Sequence, residues 1–392
     1  MDVLNLKLQD FSGMSFDCDC GMKHSLEIEQ IVYGQEITQD IIQAAHQYSA
    51  GGKILTVCDQ HTYKAFGKNV QEAFVNAGLD SSVYLFTSMH NLLPDNRQIG
   101  KLLIEIPNDI SLMVAVGSGV INDITRLVSY KMKIPYMVVC TAPSMDGYAS
   151  ATSSLIIDST KNTITGHLPK AILADENVLH KAPGHMIKAG FGDVIGKLTA
   201  LVDWDLGVIV LHEQKCPVIV SMVNQAVEKC IKNAQGVRNN DKQVVANVFE
   251  ALTIAGVTMG LNKNTRPASG AEHHLAHYWD LKAIEQNKEH ALHGESVGIG
   301  TVVICRLYEL AKKVLPQGIQ CPSPGYITEL LQKAGAMVSP TQIGVTRQDF
   351  EDSLVHGHTI ATKYTILTHL NKHYPDLLKE YASKITGEFY NS

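Results

Sequence analysis

Four short apolar runs in the first 140 residues, each closed by a turn, constrain this chain more than any other feature. Ile54-Leu-Thr-Val-Cys58 follows Gly51-Gly52 and ends at Asp59. Val83-Tyr-Leu-Phe86 follows a helical segment and a stop at Gly78. Leu112-Met-Val-Ala-Val116 runs into Gly117-Ser-Gly119, and Tyr136-Met-Val-Val-Cys140 into Thr141-Ala-Pro-Ser144. Short strands alternating with helical stretches predict βαβ units and a parallel sheet covered on both faces. Such sheets bind ligands beyond the carboxyl ends of their strands. Asp59, Gly117 to Gly119 and Thr141 to Ser144 fall at those ends. An earlier strand is expected around Ile31-Val-Tyr33.

The pattern then changes. Ser153-Ser-Leu-Ile-Ile-Asp158 and Ile164-Thr-Gly166 flank a polar turn, Ser159-Thr-Lys-Asn162, and predict a β-hairpin. Ala171-Ile-Leu-Ala-Asp175 is one more strand. Beyond Lys181 the periodicity is helical almost throughout, over 187–206, 218–233, 242–260, 270–289, 294–314 and 326–334. Residues 317–325, with two prolines and two glycines, read as a loop. The length of 392 residues implies two domains. The expectation is a Rossmann-like α/β domain over 1–178 and an all-α domain over 179–392, with Lys181-Ala-Pro-Gly184 breaking the chain between them.

A hydrophobic fraction of 45% and a charged fraction of 18% are those of a soluble globular enzyme. The net charge of -6 argues against a nucleic-acid or anionic-membrane partner. Met1-Asp-Val-Leu-Asn-Leu-Lys7 lacks the basic and apolar regions of a signal peptide. No apolar run approaching a membrane span of 18 residues is expected, so the expected location is the cytoplasm. The eight cysteines then read as reduced thiols, several of them in the core. Cys18-Asp-Cys20-Gly-Met-Lys-His24 stands apart. It offers metal-binding groups, yet the spacing supplies no fourth ligand nearby, and a local turn before the strand around Ile31-Val-Tyr33 is the preferred reading.

Gly117-Ser-Gly-Val-Ile-Asn-Asp123 opens a helix expected over 120–132, whose N-terminus suits a pyrophosphate. It departs from GxGxxG at Asn122, and a tight strand-to-helix turn has the same composition. Asp59 suits a ribose hydroxyl and would favour NAD over NADP; an Asp there also serves as a cap. Thr141-Ala-Pro-Ser-Met-Asp-Gly-Tyr-Ala-Ser150 offers hydroxyls to a cofactor and Asp146 to a substrate, or is simply a loop. Ser269-Gly-Ala-Glu-His-His-Leu-Ala-His277 puts His273 and His277 one helical turn apart on one face. With His293 and Asp193, they supply a carboxylate and imidazoles for an open divalent-metal site. Arg266 is suited either to a substrate phosphate or to capping the preceding helix.

Taken together, these residues resemble the sn-glycerol-1-phosphate dehydrogenases. That family lies within the group that includes glycerol dehydrogenase, iron-type alcohol dehydrogenases and dehydroquinate synthase. The match is carried by Gly117-Ser-Gly-Val-Ile-Asn-Asp123, Thr141-Ala-Pro-Ser-Met-Asp-Gly-Tyr-Ala-Ser150, Gly190-Phe-Gly-Asp193, Arg266-Pro-Ala-Ser-Gly-Ala-Glu-His273 and His293-Gly-Glu295. Length and the Cys-Asp-Cys-Gly segment resemble the bacterial, dimeric members. The resemblance implies the dehydroquinate synthase-like two-domain fold and a homodimer. It also implies NAD(P)-dependent interconversion of dihydroxyacetone phosphate and sn-glycerol 1-phosphate. By motif, Asp193, His273 and His293 would bind one divalent metal, zinc or nickel. Asp146, Asp193 and His277 would face the substrate, with Asp146 and His277 catalytic. Gly117, Ser118, Gly119, Val120, Ile121, Thr141, Ser144 and Ser150 would contact the dinucleotide. Ser118 departs from the glycine of many members. A glycerol or polyol dehydrogenase of the same fold is the alternative.

Overall fold

The computed structural model describes residues 6–87, 92–158 and 160–391. The segment judged for a signal peptide lies mostly outside these residues, as does Ser159 of the expected hairpin turn. The chain divides into two compact units at Pro183/Gly184.

After a short 3-10 turn at Leu8–Phe11, the first unit continues with a hairpin, β1 (Ser15–Asp17) and β2 (Lys23–Ser25). Then come β3 (Gln30–Gly34), α1 (Thr38–Ser49), β4 (Lys53–Asp59), the single turn α2 (Gln60–Thr62), α3 (Lys68–Asn76), β5 (Ser81–Phe86), α4 (Asn96–Glu105), β6 (Ile110–Gly117), α5 (Gly119–Met132) and β7 (Tyr136–Cys140). The unit closes with the hairpin β8 (Thr152–Ile157) and β9 (Thr160–Thr165), then β10 (Ala171–Asp175) and α6 (Glu176–His180).

Six strands pair in the order β3-β10-β7-β6-β4-β5, all parallel. The expected strand at 31–33, the four runs of the first 140 residues and 171–175 are thus strands of one sheet, while the expected hairpin, β8 and β9, pairs by itself. From β4 the chain moves outward to β5, then returns to β6 and proceeds the other way through β7 and β10. The strand order thus reverses between β4 and β6, which is where doubly wound sheets bind ligands. Asp59 and Gly117 end those two strands. Every residue of β7 and β10 is buried, as a sheet covered on both faces requires.

Two expectations need correction. The polar turn of the second hairpin is shorter than expected, because Thr160, Lys161 and Asn162 belong to β9. No residue of β9 is buried, so polar side chains are tolerated along the strand. The expected 317–325 loop also ends early. Ser323 caps a helix by accepting from Tyr326 N, so Pro324 and Gly325 are helical; proline suits a first helical turn, where its missing N–H is not needed.

The second unit is helical: α7 (Gly184–Leu211), α8 (Pro217–Ile231), α9 (Ala234–Arg238), α10 (Lys242–Asn262), α11 (Ala271–Glu285), α12 (His293–Ala311), α13 (Pro324–Ala334), α14 (Arg347–His356), α15 (Ile366–His373) and α16 (Pro375–Tyr390). Its core gathers Leu206, Leu275, Trp279, Val303, Leu307, Phe350 and Leu370. Contrary to the sequence expectation, α10 is long and apolar enough to cross a membrane. Its apolar window is 72% buried, so that surface lies in the core of this unit.

Helices α7 and α12 approach through glycine. A methyl on Gly192 would overlap the carbonyl of Gly294, and one on Gly294 would overlap the carbonyl of Ala189. This contact sets Asp193, on α7, beside His293, the first residue of α12.

Candidate active site

Asp193, His273 and His293 offer three ligand atoms that all lie within 4.8 Å of one another. His273 Nε2 is 3.6 Å from Asp193 Oδ1, and the His273 and His293 ring centroids are 5.2 Å apart. The helical spacing behind the first expectation is present: His273 and His277 lie on α11 with ring centroids 6.3 Å apart. His277 stacks on His293 at 5.3 Å and 23°. A second group, His277, Asp280 and His293, satisfies the same 4.8 Å limit and shares His293 with the first.

Two further side chains complete this cluster. Lys197, one turn along α7, donates to Asp193 Oδ1 at 2.5 Å, and both side chains are buried. Burial alone would raise the Asp193 carboxyl, but Lys197, His273 and His293 outweigh it and hold it well below the usual carboxylate range. Glu272 is the other. Its Oε1 accepts from Gly270 N at 2.6 Å and faces His273 Nδ1 at 2.8 Å, while Oε2 accepts from Thr199 Oγ1 at 2.8 Å. With Nδ1 as donor to Glu272, Nε2 is the ring nitrogen left to bind an ion on the Asp193 side. A carboxylate behind a histidine fixes ring and tautomer in this way.

Beneath Glu272 lies Asp203, fully buried. It accepts from Tyr308 Oη at 2.6 Å, Ala271 N at 2.6 Å and Ile366 N at 2.7 Å. Burial and the nearby Glu272 charge raise its pKa to about 7. The folded protein thus keeps a proton that the unfolded chain releases. This group's contribution to stability falls as pH rises from the ordinary carboxylate range through about 7.

Glu272→Gln tests the arrangement. The amide keeps the shape and an acceptor for Gly270 N but loses the charge behind His273. Metal affinity should fall by about 10–100-fold. The melting temperature should fall, because burial of the Glu272 carboxyl is outweighed by His273, Thr199 and Gly270, which together hold it below its ordinary pKa in the folded protein. Titration of the stripped variant with zinc, alongside a thermal melt, checks both; unchanged affinity would remove Glu272 from the site.

Arg266 does not face this cluster's ligands. Its Nε donates to Glu213 Oε2 at 2.7 Å, its Nη2 pairs with Glu213 Oε1, and its Nη1 donates to the Tyr364 carbonyl at 2.6 Å. The guanidinium is buried and ties the α7–α8 loop to the segment before α15. Neither a substrate phosphate nor a helix cap is its partner, and the phosphate reading of Arg266 is withdrawn.

In the α/β unit, Ser118 sits at the N-cap of α5 without capping it; its Oγ meets Ser144 Oγ at 2.7 Å instead. No side chain caps α5, as befits a helix end that presents its N–H groups to an anion. Gly119 already belongs to α5, one residue before the expected start, with Val120 and Ile121 in its first turn. A Cβ on Gly117 would lie 2.6 Å from the Ile121 Cβ, so glycine is required at that close turn.

The loop after β7 is tied to the loop after β6. Thr141 N donates to Gly117 O at 3.1 Å, and Tyr148 Oη donates to Ala142 O at 2.8 Å. Asp146 precedes the short turn Gly147–Ala149, and Ser150 Oγ accepts from Thr152 N at 3.0 Å. Arg126, fully buried, anchors this loop. It donates to Gly147 O at 2.5 Å, Thr152 O at 2.8 Å, Tyr136 Oη at 2.9 Å and Asp123 Oδ1 at 2.7 Å. Burial, opposed by Arg126, leaves Asp123 with a pKa raised to about 6. Asp59 caps α2, accepting from Thr62 N at 2.7 Å through Oδ1.

A nucleotide-type sheet joined in one chain to a carboxylate–imidazole cluster is the build of metal-linked alcohol dehydrogenases, and the comparisons agree. The family described as iron-containing alcohol dehydrogenase matches residues 34–183. The chain belongs to the glycerol-1-phosphate dehydrogenase family of oxidoreductases. The Geobacillus thermodenitrificans glycerol-1-phosphate dehydrogenase, NAD(P)+, is 33% identical, covering 94% of this chain and 98% of that protein. The Pyrococcus furiosus protein of the same name is 31% identical, covering 93% and 99%. Among solved structures, an archaeal Red Sea brine pool alcohol dehydrogenase superposes with a TM-score of 0.71 at 13% identity, covering 94% of this chain and 100% of that one. Glycerol dehydrogenase from Schizosaccharomyces pombe gives 0.67 at 17%, covering 91% and 90%. These two establish the fold.

Proposed function

We propose that the protein catalyses the NAD(P)- and metal-dependent, reversible reduction of dihydroxyacetone phosphate to sn-glycerol 1-phosphate. The observation that carries this reading is the cluster of buried Asp193 and His273 with half-buried His293, braced by Glu272, in a chain of this family. One carboxylate and two imidazoles suit zinc or nickel. When bound, the ion supplies Lewis acidity at the C2 carbonyl oxygen and the nicotinamide supplies the hydride.

The chain's own groups do the rest. Asp193, His273 and His293 hold the ion, Glu272 holds the His273 ring, and Lys197 balances the Asp193 charge. Gly117, Ser118, Gly119, Val120, Ile121, Thr141, Ser144 and Ser150 bind the dinucleotide, with α5 turning its N-terminus to the pyrophosphate. Asp146, Asp193 and His277 orient the substrate, and His277 carries the proton to the C2 oxygen. The enzyme works as a homodimer in the cytoplasm, where its eight cysteines, none in a disulfide, stay reduced.

The deciding assay is NADH oxidation on dihydroxyacetone phosphate by zinc- or nickel-refilled enzyme, with chiral analysis of the product. Dihydroxyacetone should react far more slowly, because the remote phosphate supplies binding energy that positions C2. Equal kcat/KM on both would favour the glycerol or polyol dehydrogenase reading.

Asp59 gives a test of cofactor choice. A carboxylate at the end of β4 repels a 2′-phosphate, so NADH should be preferred over NADPH. Asp59→Ser keeps a hydroxyl able to cap α2 and removes the charge. The NADH/NADPH ratio of kcat/KM should narrow; an unchanged ratio places Asp59 away from the ribose.

A further inference from the structure

The N-terminal hairpin carries a group of side chains that the proposed reaction does not use. Strands β1 and β2 are three residues each and pair Phe16 with His24. Between them Cys18 N donates to Met22 O at 3.1 Å and Gly21 N to Cys18 O at 2.9 Å. Gly21 adopts φ +83°, a left-handed conformation that lets the chain double back here. The result is a knuckle in which the Cys18 and Cys20 thiols and the His24 ring converge, with ligand atoms within 4.8 Å of one another. Cys20 Sγ and His24 Nε2 are 3.4 Å apart. Bond lengths of about 2.3 Å to sulfur and 2.0–2.1 Å to nitrogen put tetrahedral ligands about 3.6 Å apart. His24 is fully buried and packs against Phe16 at 5.0 Å between ring centroids.

We infer that Cys18, Cys20 and His24 bind a structural divalent metal of the thiolate-preferring class, zinc above all. Two thiolates and one imidazole select zinc over the hard, oxygen-seeking ions. The fourth tetrahedral position takes water or a further donor. A two-stranded hairpin this short is marginal by itself in water, and a metal closing its turn gives it a reason to persist. The site shares no residue with the Asp193 cluster, and the inference does not rest on the reaction proposed above.

The test uses the full-length protein carrying His273→Ala, purified with zinc present. It should retain one zinc per chain by elemental analysis, and adding Cys20→Ser should take this to none. Refilled with Co2+, the His273→Ala protein should show sulfur-to-cobalt charge-transfer absorption for at least two Co–S bonds. Cys20→Ser, which no longer retains the ion, should lose these bands, and Cys18→Ser should lose at least one bond's share. If Cys20→Ser fails to fold, the cobalt spectrum of His273→Ala decides alone. No retained metal, a cobalt spectrum without sulfur bands, or a Cys18–Cys20 disulfide in peptide mass spectra of freshly prepared protein would overturn the inference. The short Cys20–His24 contact would then be an ordinary hydrogen bond.

Discussion

His273→Ala should purify without metal at the Asp193 cluster and show no measurable turnover on dihydroxyacetone phosphate. On the proposed assignment, the variant removes one of three protein ligands and leaves a void that water fills poorly as a donor. The loss of affinity should exceed the roughly 10–100-fold expected when a residue supporting a ligand is changed. Lewis acidity at the carbonyl oxygen is worth several kcal/mol, and each 1.36 kcal/mol is tenfold in rate. The fold should survive. Asp193 keeps Lys197 at 2.5 Å, so no buried carboxylate is stranded, and Glu272 keeps Gly270 N and Thr199 Oγ1. Metal analysis with a steady-state assay after refilling decides the matter. The alternative is specific, because His277, Asp280 and His293 form a second group of the same compactness. His293→Ala should abolish activity whichever group holds the ion. His273→Ala with full metal and near-normal rate, set against a metal-free Asp280→Asn, would move the ion to the second group.

Much of the frame could be read from the chain itself. The runs at β4, β6, β7 and β10 are apolar on both faces because helices cover the sheet on both sides, and that leaves a plain signal. Histidines at i and i+4 are visible because a helix of known period puts them together. Lys197 obeys the same rule with Asp193 and was open to discovery by it. Glu272 was not, because adjacent helical residues ordinarily point apart. It reaches His273 only from the first turn of α11, where its carboxylate also takes the free Gly270 N–H.

Arg266 shows the opposite failure. Proximity in sequence to the histidine helix suggested a substrate role, yet nothing in a linear string tells which way a long side chain turns. Its partners, Glu213 and Tyr364, are 53 and 98 residues away. Arg126 was hidden for the same reason. Its bonds to Gly147 and Thr152 fix the loop holding Asp146 and Ser150 without any motif to announce them. The N-terminal hairpin gave no alternation to read, since each strand has three residues.

His277→Ala should keep its metal and lose rate by about 10²–10⁴-fold, the range for losing a general acid–base group. The stacking of His277 on His293 at 5.3 Å and 23° places it beside the ligands, while Asp193, His273 and His293 already supply a compact set. The direction of the pH effect follows from the chemistry. On the proposed assignment, reduction needs a protonated imidazole to give a proton to the C2 oxygen, so its rate should fall as pH rises. Oxidation needs the neutral ring to take the proton, so its rate should fall as pH drops. Both limbs should disappear from the kcat profiles of His277→Ala, and added imidazole should restore part of the rate. A merely structural role would leave the wild-type pH limbs in place. Metal loss equal to that of His273→Ala would instead make His277 a ligand, with Asp280 and His293 as its partners.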